Sequence, residues 1–408
     1  GTSPSGLFSL PPDIDLTGYV ELPWSGCGKP KSFMNTTKKD IKSFSWAKGI
    51  SYEPLIEDPI GKWFEKQVAT YSDDHALHSE HQDQHYTWNS LNHQVNQLSL
   101  GLKKIGLESG DRLGICLPNL AEWVIMFLAC SKLGIIVVNI NPGYRKHELE
   151  QALNEVGCTA LLMTPKIKNS NYLQFMRELI PTIDTCEKGK INSETIPSLR
   201  HLIFTDTQEE KLPSGCFHYE ELLQSVSDAD LILNKNLKNT DPINIQFTSG
   251  TTGLPKGATL THRNILNNAK FSGRRMELSP SDSLCIPVPM YHCFGLVLGK
   301  LAAFTAGSKI IFPSALFNAE ATLRAVHKHK ATALHGVPTM FIEELNHPKL
   351  KEFDFSSLRT GIMAGSNCPE EVLHRIADEM NLEGMTVCYG MTETSPVSFQ
   401  ISSTDLNA

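Results

Sequence analysis

From Arg112 onward, apolar and polar positions alternate in blocks that predict strand, helix, strand, helix, strand. Residues 112–117 form a short apolar run stopped by Pro118, and Asn119 is placed to cap a helix running to Leu133, which Gly134 would end. Residues 135–140 are a continuous, largely β-branched run, the pattern of a strand buried on both faces. After the turn Asn141-Pro142-Gly143, residues 146–156 carry Leu149, Leu153 and Val156 on one helical face. Gly157 closes that helix, and 159–163 is the next strand. This spacing implies parallel pairing through right-handed crossovers.

The alternation returns later in the chain. Strands are predicted at 243–247, 284–288, 309–312, 331–335, 360–364 and 385–389, with helices at 261–271, 294–306, 319–330 and 370–380. Residues 186–240 are polar and weakly patterned, and read as a surface excursion between two sheet regions. The fold class is therefore α/β, a large domain with doubly wound sheets and its ligand at the strand C-terminal ends. Residues 1–50 are rich in Pro, Gly, Ser, Thr and Lys and read as a leader or extension, either transit-related or draped on the surface. Residues 51–408 form the body.

Charge and composition narrow the functional classes. Lys and Arg total 37 against 44 Asp and Glu, a net charge of −7, so no basic excess speaks for a nucleic-acid partner. Binding a single nucleotide needs only a few local donors and stays open. Hydrophobic residues at 40% and charged residues at 20% exclude a disordered chain or a coiled coil. The ten cysteines contain no C-x-x-C pair and read as reduced thiols. The longest greasy stretch, 121–140, is broken by Glu122, Lys132, Gly134 and Asn139, so no segment reaches the ~20 apolar residues of a membrane span.

The candidate chemistry begins after the strand at 243–247, which runs into Thr248-Ser249-Gly250-Thr251-Thr252-Gly253-Leu254-Pro255-Lys256-Gly257. Glycines let a backbone approach a polyphosphate and turn N–H groups toward it. Hydroxyls can bond phosphate oxygens or reach Mg²⁺, and Lys256 supplies a point charge. Thr261 is placed to cap a helix whose start would further favour anions. The loop fails the P-loop template: counted from Gly250, the second required glycine falls at Pro255 and the hydroxyl after the lysine at Gly257. The plain alternative is a polar turn between two elements.

Thr248 to Gly257 resembles the signature phosphate-binding loop of the acyl- and aryl-adenylate-forming enzymes, a superfamily of acyl-CoA synthetases, luciferases and non-ribosomal adenylation domains. Two further segments match in order and spacing. Pro289-Met290-Tyr291-His292-Cys293-Phe294-Gly295 resembles the segment lining the acyl pocket, and Tyr389-Gly390-Met391-Thr392-Glu393-Thr394 resembles the nucleotide- and Mg²⁺-binding motif. Ala364-Gly365-Ser366-Asn367-Cys368-Pro369 sits where the family has its adenine-contacting turn. The phrases Asp241 to Phe247 and Ser395-Pro396-Val397 look specifically like the mitochondrial medium-chain type. The resemblance runs from about residue 50 to the chain end.

That resemblance implies an acid–thiol ligase using ATP, Mg²⁺ and coenzyme A. A carboxylate attacks the α-phosphate, pyrophosphate leaves, and a thiol displaces AMP from the acyl-adenylate. Thr248 to Lys256 would cradle the β- and γ-phosphates, Thr392 would meet the α-phosphate, and Glu393 would hold Mg²⁺. Tyr389 and Gly390 would flank the adenine together with Gly365, Ser366 and Asn367. His292 would stand between acyl pocket and adenylate, and residues 336–339 would start a pocket-lining helix. The family's ribose-binding Thr-Gly-Asp, hinge and mobile domain do not follow Ser395, so the expectation is the large N-terminal domain with the C-terminal mobile domain absent. The implied partners are small molecules and the implied compartment is the mitochondrial matrix. A non-catalytic nucleotide or acyl binder, and a ligase for an aryl or other acid, remain alternatives.

His75, His78, His81 and His85 have spacings that would suit a metal on a helix face. No cysteine lies near, and the family has an ordinary hairpin there, so the cluster is read as structural. His327 and His329, interleaved with Lys328 and Lys330, read as a solvated basic helix end.

Overall fold

A computed structural model describes residues 53–205, 211–224, 233–248 and 256–402. Residues 1–50, expected to be a leader or extension, and the expected phosphate-loop residues Ser249, Gly250, Thr251, Thr252, Gly253, Leu254 and Pro255 lie outside the described residues.

From Ile56 onward the chain forms one compact unit built on two large sheets. One has seven strands in the order Lys256–Thr261, Pro242–Thr248, Ile136–Asn139, Arg112–Cys116, Ala160–Met163, His201–Phe204, Cys216–His218. Every neighbouring pair is parallel except the first. The other has eight strands in the order Val397–Gln400, Gly384–Gly390, Thr360–Met363, Ala333–Gly336, Ser283–Cys285, Lys309–Phe312, His75–Ser79, Gln84–Thr87. Its six central strands run parallel and its two edge strands antiparallel. The α/β reading with doubly wound sheets is borne out.

Period-two alternation explains how the sheets are covered. Val137 faces a core shared by both sheets, while Ile136 and Val138 face a second core under the helices Lys146–Glu155 and Tyr172–Leu179. The eight-stranded sheet has its own outer core beneath Ala319–His329, Pro338–Leu345 and Glu370–Met380. Between the sheets lies Ala121–Leu133, buried at every residue except Glu122, as its nearly unbroken apolar sequence requires.

Gly134 ends this helix with φ +83° and Gly157 follows the helix Lys146–Glu155 with φ +62°, both as expected. Two expectations need correction. Residues 186–240 are not an excursion, because His201–Phe204 and Cys216–His218 continue the seven-stranded sheet. Asn119 does not cap the following helix: Leu120 stands at that position, and the Asn119 side chain is committed elsewhere. Among the described residues no helix is long and apolar enough to cross a membrane.

Candidate active site

The parallel strands of the eight-stranded sheet deliver their loops to one end. Gly365, Ser366 and Asn367 follow Thr360–Met363 and are exposed; Tyr389 and Gly390 end Gly384–Gly390. This is the edge where α/β sheets bind ligands. In the seven-stranded sheet, Thr248 ends Pro242–Thr248, and Lys256 opens the antiparallel strand Lys256–Thr261. Thr248 pairs with Lys256 in register, so the glycine- and hydroxyl-rich segment 249–255 joins the two arms of a hairpin.

The strand Lys256–Thr261 also moves the next helix away. Thr261 does cap it, accepting a hydrogen bond from the Asn264 amide. Five steps of strand at about 3.3 Å each place that cap about 17 Å from Lys256. The helix N-terminus therefore stands well away from Lys256, contrary to the expectation that it adds to an anion site there.

Three sequence-distant segments meet at the strand ends. Thr248 Oγ1 donates to Glu393 Oε1 at 3.3 Å, across 145 residues. Glu393 is exposed and sits in the short turn Thr392–Thr394, next to the buried Thr392. Thr392 Oγ1 lies 3.9 Å from Cys293 Sγ, joining this turn to the Pro289–Gly295 segment. Burial pushes the Cys293 thiol up to about 11, so it is protonated near neutrality. Tyr389 is 70% exposed, which removes core packing as its role. Its ring faces Phe399 on the edge strand, with centroids 6.5 Å apart.

His292 is exposed by accessible surface, yet the protein packed around it withholds hydration and lowers its pKa. Its Nδ1 accepts from the Phe294 amide at 3.1 Å, so the neutral ring carries its proton on Nε2. Gly295 permits this tight turn, because a Cβ there would stand 2.4 Å from the Pro289 carbonyl oxygen. Gly390 is similarly constrained, since a Cβ would lie 1.9 Å from the Pro396 carbonyl oxygen. Gly365 has φ +92°, the left-handed region that favours glycine.

Two buried asparagines, not identified as site residues in the sequence, fix the His292 turn. Asn119 Nδ2 donates to the carbonyls of Ile286 (3.3 Å) and Val288 (3.0 Å), while its Oδ1 accepts from the Met290 amide at 2.8 Å. Asn139 Nδ2 donates to the Tyr291 carbonyl at 2.8 Å. Behind it, Asn244 Nδ2 donates to Asn139 Oδ1 at 2.8 Å, and Gln246 Nε2 to Asn244 Oδ1 at 2.7 Å. This ladder runs from the strand Pro242–Thr248 to the turn carrying His292. Polar residues inside otherwise apolar strands, Asn139, Asn244 and Gln246, were the available sequence signal.

The donor set suits a hard cation bound with a polyphosphate. Glu393 offers carboxylate oxygen, and the Thr248 hydroxyl lies 3.3 Å from it. Mg²⁺ typically takes one or two protein oxygens and completes its shell with water and phosphate.

This is an α/β protein whose two sheets bring three sequence-distant motifs to one place. Residues 64–407 match the family described as AMP-binding enzyme, and the chain belongs to that family. It is 41% identical over 361 residues to the medium-chain acyl-CoA ligase ACSF2, mitochondrial, of Danio rerio, covering 87% of this chain and 59% of that protein. The putative acyl-CoA synthetase YngI of Bacillus subtilis is 39% identical over 355 residues, covering 86% of this chain and 64% of the relative. The chain thus spans about three fifths of the length of these curated relatives. The fold matches the crystal structure of the anthranilate CoA ligase AuaEII in complex with anthranoyl-AMP, with TM-score 0.74 at 21% identity over 86% of this chain and 63% of that one. It also matches the N-terminal domain of FACL13 from Mycobacterium tuberculosis, with TM-score 0.69 at 21% identity over 83% of this chain and 77% of that one.

Proposed function

We propose that this chain is the nucleotide- and acyl-binding body of a medium-chain fatty acid–CoA ligase. The reaction joins a carboxylic acid to ATP as an acyl-adenylate, releasing pyrophosphate, then to coenzyme A, releasing AMP. The observation that carries this reading is the Thr248–Glu393 hydrogen bond, which brings the ends of two nucleotide motifs together. The names and identities of the two curated relatives support the acid–thiol ligase class.

In this reading Thr248, Lys256 and the segment between them, Ser249 to Pro255, hold the β- and γ-phosphates. Thr392 bonds the α-phosphate. Tyr389 offers an exposed aromatic face to the adenine, flanked by Gly390 and by the turn Gly365-Ser366-Asn367. His292 presents its Nε2 proton to the incoming carboxylate and thereby orients it. Glu393 with Thr248 holds Mg²⁺, whose charge offsets that of the triphosphate as two anions meet. We place the protein in the mitochondrial matrix by its likeness to relatives named mitochondrial, with 1–50 as leader and 51–408 as the nucleotide-binding domain.

The test is acid-dependent ATP–pyrophosphate exchange, run with a panel of short-, medium-, long-chain and aryl acids on protein extended to the length of the relatives. Exchange should be greatest with medium-chain acids. Lys256→Ala and Glu393→Ala should each lower it by about a hundredfold or more. No exchange with any acid would defeat the ligase reading.

A further inference from the structure

We propose that His78, Glu80 and His329 form a binding site for a zinc-class divalent cation, linking the N-terminal hairpin to a helix of the eight-stranded sheet. The hairpin reading of residues 75–87 holds, since His75–Ser79 pairs antiparallel with Gln84–Thr87. His329 differs from expectation. It is the last residue of Ala319–His329, yet its side chain is only 14% exposed and packs against the hairpin rather than into solvent.

The three side chains converge from places far apart in sequence. His78 Nε2 lies 2.9 Å from Glu80 Oε2, and His329 Nε2 lies 2.6 Å from the same oxygen, across 249 residues. One ligand atom from each residue falls within 4.8 Å of the other two. The imidazole centroids of His78 and His329 are 4.1 Å apart. Lys328 Nζ bonds the other carboxylate oxygen, Glu80 Oε1, at 2.5 Å, fixing the carboxylate with Oε2 toward the histidines.

Two imidazoles and one carboxylate are the donor set of a three-ligand zinc site, with water completing a tetrahedron. Imidazole nitrogen selects against Mg²⁺ and Ca²⁺, which prefer oxygen. Bonds of about 2.0–2.1 Å to a tetrahedral ion set its ligand atoms roughly 3.3 Å apart, so small side-chain rotations would admit the ion. The ion would displace the two protons that now bridge nitrogen to oxygen. The C-terminal end of the helix Ala319–His329 further favours a cation beside it. All three side chains retain partial exposure, between 14% and 21%, which leaves a route of entry.

The site is distinct from the nucleotide site. The hairpin forms one edge of the eight-stranded sheet, and the strands carrying Tyr389 and Phe399 form the opposite edge. Bound metal would cross-link the first strand to a helix about 250 residues later, and its role is structural.

The proposal is tested by titrating Zn²⁺ into the purified 408-residue chain against a colorimetric chelator, with the thermal midpoint followed in parallel. The expected result is one tight equivalent per chain and a midpoint that rises with Zn²⁺. His78→Ala and His329→Gln should each weaken that equivalent by roughly tenfold or more and abolish the rise. His329→Gln keeps a donor for Glu80, so its metal-free midpoint should stay near that of the parent. Should neither variant fold, zinc-edge anomalous diffraction from Zn²⁺-soaked parent crystals decides, with a peak expected between the three side chains. Absence of that peak, or Zn²⁺ affinity equal in parent and folded variants, overturns the proposal.

Discussion

At the scale of single residues, burial decides which titratable groups stay neutral. His335 is wholly enclosed, with Nε2 donating to the Leu298 carbonyl at 2.9 Å and Nδ1 accepting from the Ile362 amide at 3.2 Å. Both nitrogens are used only by the neutral ring, and desolvation pulls its pKa down to about 4. An unfolded histidine titrates near 6.5, so as pH falls the unfolded state takes up the proton first. The contribution of His335 is therefore complete above about pH 6.5 and is lost as the pH drops toward about 4. His262, which accepts from the Ile60 amide at 3.2 Å, is also held near 4 and adds to the same trend. The thermal midpoint should fall between pH 7 and pH 5. His335→Gln should start from a lower midpoint at pH 7 but show a smaller fall. An equal fall would remove His335 as a source of the acid sensitivity.

At the scale of elements, the site depends on how one sheet's strands hold another sheet's turns. Asn139 is the hinge of that arrangement, bonded to the Tyr291 carbonyl on one side and to Asn244 on the other. Asn139→Ala would leave the Tyr291 carbonyl without its buried partner and strip Asn244 of one acceptor, a cost of about 2 kcal/mol. Hydrogen exchange should report faster exchange at the amides of residues 291–294, with little change at the distant strand Ala160–Met163. Uniform acceleration across both regions would point to global destabilisation instead.

Legibility in the sequence also divides by element. The β-branched run ending at Ile140 and the strand Lys309–Phe312 were readable because burial on both faces forces an apolar sequence. Lys256–Thr261 was not, because an edge strand with only Leu260 buried has no alternation to display. His201–Phe204 was hidden by its polar surroundings, although all four of its residues are buried. The helix Trp88–Lys104 lies ahead of the regular alternation, yet Trp88, Leu91, Val95, Leu98 and Leu102 at spacings of three and four make it legible in the sequence. The site was legible as motifs, but not as geometry. Sequence order alone could not place Thr248 against Glu393, or reveal that Asn119 serves the His292 turn rather than a helix cap.

At the scale of the whole molecule, two sheets share one core and present their functional loops together. The central claim is that the bend between Thr248 and Lys256 grips the triphosphate of a nucleotide opposite Glu393. A crystal structure of this protein with ATP and Mg²⁺ tests it most directly. The β- and γ-phosphates should lie along residues 248–256, the α-phosphate at Thr392, the metal on Glu393, and the adenine against Tyr389. A nucleotide bound elsewhere, or one whose phosphates point away from that bend, would contradict the account.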